Sequence, residues 1–171
     1  MKKVLVIAEH KKGHLKKSSL EILSAAKGCE VYGVIFGSDA QAAAAELAGQ
    51  GVKEVFWVKD TGFEHYHPEA FAFATEKVIQ QVKPNFVVGT SSSIGKDLIP
   101  KLAARFDGPL AADCVEMTLG DTPQARHPFF SGKALASIQF EPADMTFLSL
   151  RPNSLPAGNV GSAGKVTELA S

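Results

Sequence analysis

The strongest constraint on this chain is an alternation. Four short apolar runs, rich in β-branched residues, each give way to a stretch of helical character. They are Val4 to Ala8 (VLVIA), Val31 to Phe36 (VYGVIF), Val55 to Val58 (VFWV) and Phe86 to Val88 (FVV). A continuous apolar run of this length is how a strand covered on both faces reads, because neither side alternates with water. After the first run, Leu20, Ile22, Leu23 and Ala26 mark a helix that Gly28 can stop. The alanine-rich stretch from Asp39 to Gly51 predicts a second helix, with Asp39 as N-cap and Gly49 as C-cap. Pro68 suits the first turn of a third, whose stripe is Phe71, Ala74, Val78 and Val82 and which Pro84 closes. Leu98, Ile99, Leu102, Ala103 and Phe106 line a fourth. That helix carries Pro100, so it is expected to begin between Gly95 and Asp97, placing the proline in the first turn where its missing N–H is not needed. Strand then helix, four times over, predicts βαβ units and a parallel sheet.

Past Gly108 and Pro109 the helical period disappears. Val115 to Leu119, Gln124 to Phe130, Lys133 to Phe140 and Met145 to Leu150 read as strands joined by short turns, with Gly132 in one of them. The expected architecture is α/β: a mostly parallel sheet with an antiparallel C-terminal extension on its edge, one domain over residues 1–152. From Arg151 onward proline, glycine, serine and asparagine dominate, and residues 153–171 read as a linker or tail.

Charge narrows the function. Lysine plus arginine equals aspartate plus glutamate at 18 each, so the formal net charge is zero and no nucleic-acid partner is expected. Lys2, Lys3, Lys11, Lys12, Lys16 and Lys17 cluster near the start and read as solvated charges. No stretch approaches the roughly 20 apolar residues of a bilayer span, and the run at Val4 is too short for a signal-peptide core. Cys29 and Cys114 follow no zinc or C-x-x-C spacing. The expected compartment is the cytoplasm, with both thiols reduced.

Ligands of an open parallel sheet bind beyond the carboxyl ends of the strands, so the loops after the first and fourth runs are the natural candidates. The segment from Gly89 to Asp97 is the most suggestive, since Ser91, Ser92, Ser93 and Gly95 precede a helix start, with Lys96 beside it. It is not a P-loop. Five residues separate Gly89 from Gly95, and Asp97 stands where a magnesium-binding hydroxyl is required. Two readings remain for it: a vestigial nucleotide loop, or a tight strand-to-helix turn whose serines cap the helix. The G-x-G-x-x-G fingerprint is missing after the first strand, and Ser91 to Ser93 form no nucleophile elbow. His10, His14, His65 and His67 read as surface-loop histidines, because two histidines alone make a poor zinc site. Asp113 and Glu116 lack a partner base. No catalytic or metal residue is assigned.

Several segments, in order, resemble the electron transfer flavoprotein α subunit. Val4 to His10 (VLVIAEH) followed by Ser19 to Leu23 (SLEIL) looks like that family's opening. Gly95 to Arg105 (GKDLIPKLAAR) is similar to its G-K/R-D/N-x-x-P-R-x-A-A-R/K segment. Asp113, Arg126 to Pro128 (RHP) and Ser131 to Ala136 (SGKALA) resemble its D…R-P-x-Y/F-x-G-x-A-x-A pattern, with His127 as a departure. Arg151 to Asn153 (RPN) looks like the R-P-x at the end of the domain. The resemblance implies a three-layer fold of flavodoxin-like or adenine-nucleotide-alpha-hydrolase-like type. It also implies a heterodimer with a β subunit, carrying one FAD between dehydrogenases, as in fatty acid β-oxidation, and a quinone oxidoreductase or another acceptor. In that family most FAD contacts come from a C-terminal domain whose V-x-G-G-R-G and S-x-x-x-G-Q-T-G-type segments are not found here. This chain by itself is therefore expected to be an electron-carrier component that scaffolds and docks, with no FAD-binding residue of its own. A free-standing nucleotide-binding module using Gly89 to Asp97 stays as the alternative.

Overall fold

A computed structural model describes residues 1–170. Strand β1 (Lys3–Ile7) leads through a two-residue-strand hairpin, β2 (His10–Lys11) and β3 (His14–Leu15), into helix α1 (Lys17–Ala25). Then follow β4 (Glu30–Phe36), α2 (Gln41–Gly49), β5 (Glu54–Val58), a 3₁₀ turn at Thr61–Phe63, α3 (Pro68–Val82), β6 (Phe86–Thr90) and α4 (Ser93–Arg105). The remainder holds β7 (Leu110–Cys114), β8 (Glu116–Thr118), β9 (Gln124–Phe129), β10 (Ala134–Gln139), β11 (Thr146–Leu150) and β12 (Lys165–Leu169).

The central sheet runs β12-β5-β4-β1-β6-β11-β7, with every neighbouring pair parallel. Side chains alternate between two cores. Val4 and Val6 of β1 join α1 and α2 through Ile22, Leu23, Ala44 and Leu47. Leu5 and Ile7 join α3 and α4 through Val78, Ile79, Leu98 and Leu102. The fold is thus the expected three-layer α/β type, and burial on both faces explains the unbroken apolar runs. Each fully buried Val, Leu, Ile or Phe contributes about 1.5–3 kcal/mol of transfer free energy.

The late strands divide in a way the sequence reading does not anticipate. Only β8, β9 and β10 form an antiparallel unit, a separate three-stranded sheet. Met145 to Leu150, expected in that extension, instead supplies β11 to the interior of the parallel sheet, between β6 and β7. Its five residues are all buried, as an interior strand requires. β7 is an additional edge strand, half-exposed and without a continuous apolar run.

The expected linker or tail at 153–171 also differs. The segment crosses the α1 and α2 layer and returns to the sheet. Ser24 Oγ donates to Pro156 O at 2.6 Å, Gly158 N to Leu20 O at 2.9 Å and Val160 N to Gln50 O at 2.9 Å. β12 then pairs in parallel with β5, Lys165 opposite Glu54 and Leu169 opposite Val58. Its exposed, polar composition follows from its place at an edge, where one face meets solvent.

Two helix starts are corrected as well. α2 has Ala40 at its N-cap with no side-chain cap, and Gln50 rather than Gly49 at the C-cap, because Asp39 lies one residue too early. α4 begins at Ser93, not at 95–97, because the Ser92 hydroxyl accepts from Gly95 N at 3.0 Å. Pro100 therefore sits inside the helix and leaves the Lys96 carbonyl without its helical donor, at an exposed residue.

Candidate functional site

The strands on one side of β1 are β4, β5 and β12; those on the other are β6, β11 and β7. The order reverses between β1 and β6, so the crevice of this fold lies beyond their carboxyl ends. Ile7 stands in register with Gly89, which places the loops after both strands side by side.

The segment from Gly89 to Asp97 is divided among several environments. Gly89 and Thr90 are still in β6, and a Cβ on Gly89 would come 2.6 Å from Ile99 Cδ1. Ser91 turns inward, donating from Oγ to Ser149 Oγ at 2.9 Å. Ser92 caps α4, and Ser93 is its exposed first residue. Gly95 is buried because α4 starts hard against the end of β6, where any Cβ would meet Thr90 O at 1.8 Å. Lys96 and Asp97 are exposed, and Asp97 Oδ2 accepts from the Tyr66 hydroxyl at 2.6 Å. Burial and that carboxylate together push the Tyr66 hydroxyl pKa upward.

The central residue of the crevice is Glu9, which sequence reasoning did not single out. It is only 8% exposed. Its Oε2 pairs with Lys16 Nζ at 2.7 Å, and its Oε1 accepts a very short bond from the Ser92 hydroxyl. Its backbone N–H donates to Ser19 Oγ at 2.9 Å, and its carbonyl accepts from Lys16 N at 2.9 Å. The sequence signal was there: a carboxylate one step beyond an apolar parallel strand, at the mouth where ligands sit. Lys16, taken with five other lysines as solvated, is a structural partner of a buried charge.

A cleft of about 530 Å³ opens beside this cluster, with Ile7, Phe36, Phe63 and Phe71 among its apolar walls and Lys11, Lys12 and Glu64 among its polar ones. His10 is not a free surface histidine. Its Nε2 lies 2.6 Å from Phe36 O and its Nδ1 accepts from Gly13 N at 3.3 Å, so the Nε2–H tautomer ties the β2–β3 turn to the end of β4. Among the described residues, no three His, Cys, Asp or Glu side chains converge to hold a metal.

A second polar cluster caps β6, β7 and β11. Arg151 meets Asp113 with two bonds, Nη2–Oδ2 at 2.5 Å and Nε–Oδ1 at 3.2 Å. Hydrogen bonding from Arg151, aided by the charges of Lys96 and His127, holds the Asp113 carboxyl below its ordinary value. Asp113 has a φ of +54°, and its N–H donates to Ser149 Oγ at 2.8 Å, where the pairing of β7 with β11 shifts register. Glu116 pairs with Arg126. Both carboxylates without a partner base in the sequence are therefore ion-paired to arginines. Burial pushes the Cys114 thiol up to about 11, which keeps it unreactive.

Comparison with known proteins places the fold and motifs together. The model of the electron transfer flavoprotein domain matches residues 4–170. The chain is similar to the electron transfer flavoprotein subunit alpha of Bacillus subtilis, at 32% identity over 91% of this chain and 49% of that protein. The subunit alpha of Syntrophomonas wolfei is also 32% identical, over 96% of this chain and 53% of its own. The LctC subunit of the lactate dehydrogenase (NAD(+),ferredoxin) of Acetobacterium woodii is 29% identical over 86% of this chain and 37% of its own. The chain spans about half the length of the alpha subunits it matches.

Proposed function

Since the chain belongs to the electron transfer flavoprotein domain family, we propose that it is the N-terminal scaffold and subunit-docking domain of an alpha subunit. In the complete protein, in the cytoplasm, it would support FAD-mediated electron transfer from dehydrogenases to an acceptor oxidoreductase. Its partner would be a β-type subunit in a heterodimer. One matched relative is named as a lactate dehydrogenase subunit, so the donor is framed as a dehydrogenase class and not as acyl-CoA oxidation alone.

The observation that carries the docking role is the surface of the small sheet. Phe130 is 80% exposed, Leu135 47% and Phe129 45%, all at the β9–β10 hairpin. Phe130 and Ser131 both have positive φ, so the turn itself presents the ring outward. Apolar groups grouped in this way favour an interface. Flavin binding is not proposed for this chain. At the α4 terminus, where N–H donors could meet a diphosphate, Ser92 takes the Gly95 N–H and the Glu9 carboxylate faces the helix start.

Co-expression with a β-type subunit tests the reading. The expected result is a stoichiometric complex that Phe130→Asp weakens by at least tenfold. The purified chain alone is expected to show no flavin absorbance. A stable yellow species from this chain alone would overturn the assignment.

A further inference from the structure

The crevice between β1 and β6 is where an open parallel sheet ordinarily receives its ligand. Here it is already filled by a group of the chain itself. Glu9 follows β1, Ser92 follows β6, and the bond between their side chains spans the point where strand order reverses. The carboxylate uses both oxygens, one for the Ser92 hydroxyl and one for the Lys16 ammonium. The main chain of Glu9 is held on both sides as well, by Ser19 Oγ and by Lys16 N. The Ser92 hydroxyl in turn accepts from Gly95 N while donating to Glu9, so donor and acceptor roles are both in use. The negative charge stands at the start of a thirteen-residue helix, where the backbone dipole favours it. The neighbouring cleft is lined by Glu9, Lys16 and Ile94, so the filled position is continuous with open space.

We propose that Glu9 is a built-in occupant of the switch-point crevice, an internal carboxylate clamped by Lys16 and Ser92 that bars external anions from it. An incoming phosphate must either approach a buried like charge or displace it and break the Lys16 pair. Both cost more than a surface contact returns. The inference does not depend on the docking role, because it concerns Glu9, Lys16 and Ser92 and none of the exposed residues of the β9–β10 hairpin.

The test uses the whole chain, with inorganic phosphate as the probe against chloride of matched ionic strength. Glu9→Gln keeps the shape and the Ser92 bond while removing the charge; Glu9→Ala also removes the bulk. Far-UV circular dichroism confirms that each folds. In about 20 mM phosphate the wild type is expected to show no shift in Tm. Glu9→Gln and Glu9→Ala are expected to rise by about 4–7 °C for a site of about millimolar affinity. The gain is expected to vanish in Glu9→Gln/Lys16→Ala. Phosphate stabilisation of the wild type overturns the proposal. So does an absence of gain in both folded variants, because the carboxylate would then not be what closes the crevice.

Discussion

The central sheet and the three-stranded sheet are built from the same chain under opposite rules. Between helices, β1, β4, β5, β6 and β11 are almost wholly buried. β10 is mostly exposed, with only Ala136 and Ile138 partly covered, and Ile138 packs against the core beside Met117 of β8 and Ala125 of β9. The first arrangement spends its apolar residues on cohesion. The second turns Met117 and Ala125 to the core but leaves Phe129, Phe130 and Leu135 at the surface, where they contribute little to folding and are available for contact. Core residues and the exposed apolar residues of the hairpin are thereby separated, and substitutions should sort accordingly.

Phe147→Ala offers the largest effect. The ring is fully buried in β11, with neighbours on β6 and β7, and its loss is expected to cost about 3–5 kcal/mol in urea denaturation. Next comes Gly164→Ala. A Cβ there would lie 1.9 Å from Val52 O, which is backbone and cannot yield. The variant is expected to lose roughly 2 kcal/mol and, in hydrogen exchange, to lose protection along β5 as β12 detaches. Arg151→Ala should lower stability modestly at neutral pH in urea denaturation, as expected of a partly exposed ion pair. Asp113 is held below its ordinary 3.8 chiefly by the Arg151 hydrogen bond, so its contribution is present above that pH and lost as pH falls through the depressed folded-state value. The gap between wild type and Arg151→Ala should therefore close on acidification below about 3.8; a gap unchanged into that range means the pair is not its source. The smallest effect is expected from Leu135→Asp, within about 0.5 kcal/mol of wild type in the isolated chain, yet with clear loss of β-type subunit binding. Should it destabilise the chain as much as Phe147→Ala, the small sheet is not a surface layer and the comparison breaks.

The parts legible in the sequence were those that local pattern encodes. Apolar runs marked β1, β4, β5 and β6, and the stripe from Phe71 to Val82 marked α3, because strands and helices covered by other elements show their periods directly. The motif containing Gly95 to Arg105 pointed to the family, and Ser92 does cap the helix that follows it. Pro100 misled because the start of α4 depends on a hydroxyl, not on tolerance for proline. β11 reads as a strand, but Thr146 and Ser149 interrupt its apolar run, so its sequence does not carry the unbroken pattern of an interior parallel strand. β12 was missed because a parallel edge strand needs no apolar run; its neighbour β5 supplies the pairing groups.

The polar constellations at the rim belong to a different category. Glu9 and Ser92 are 83 residues apart and Asp113 and Arg151 are 38 apart, and each pair meets only because parallel strands end at the same rim. By itself the sequence determined the class of fold, the two-sided burial of its core strands and the family resemblance, since these follow from short-range hydrophobic period and motif order. Only the tertiary structure decided strand order, the return of residues 165–169 to the sheet and the filling of the crevice by an internal carboxylate. Those depend on which distant backbone groups find each other, and no local pattern carries that information.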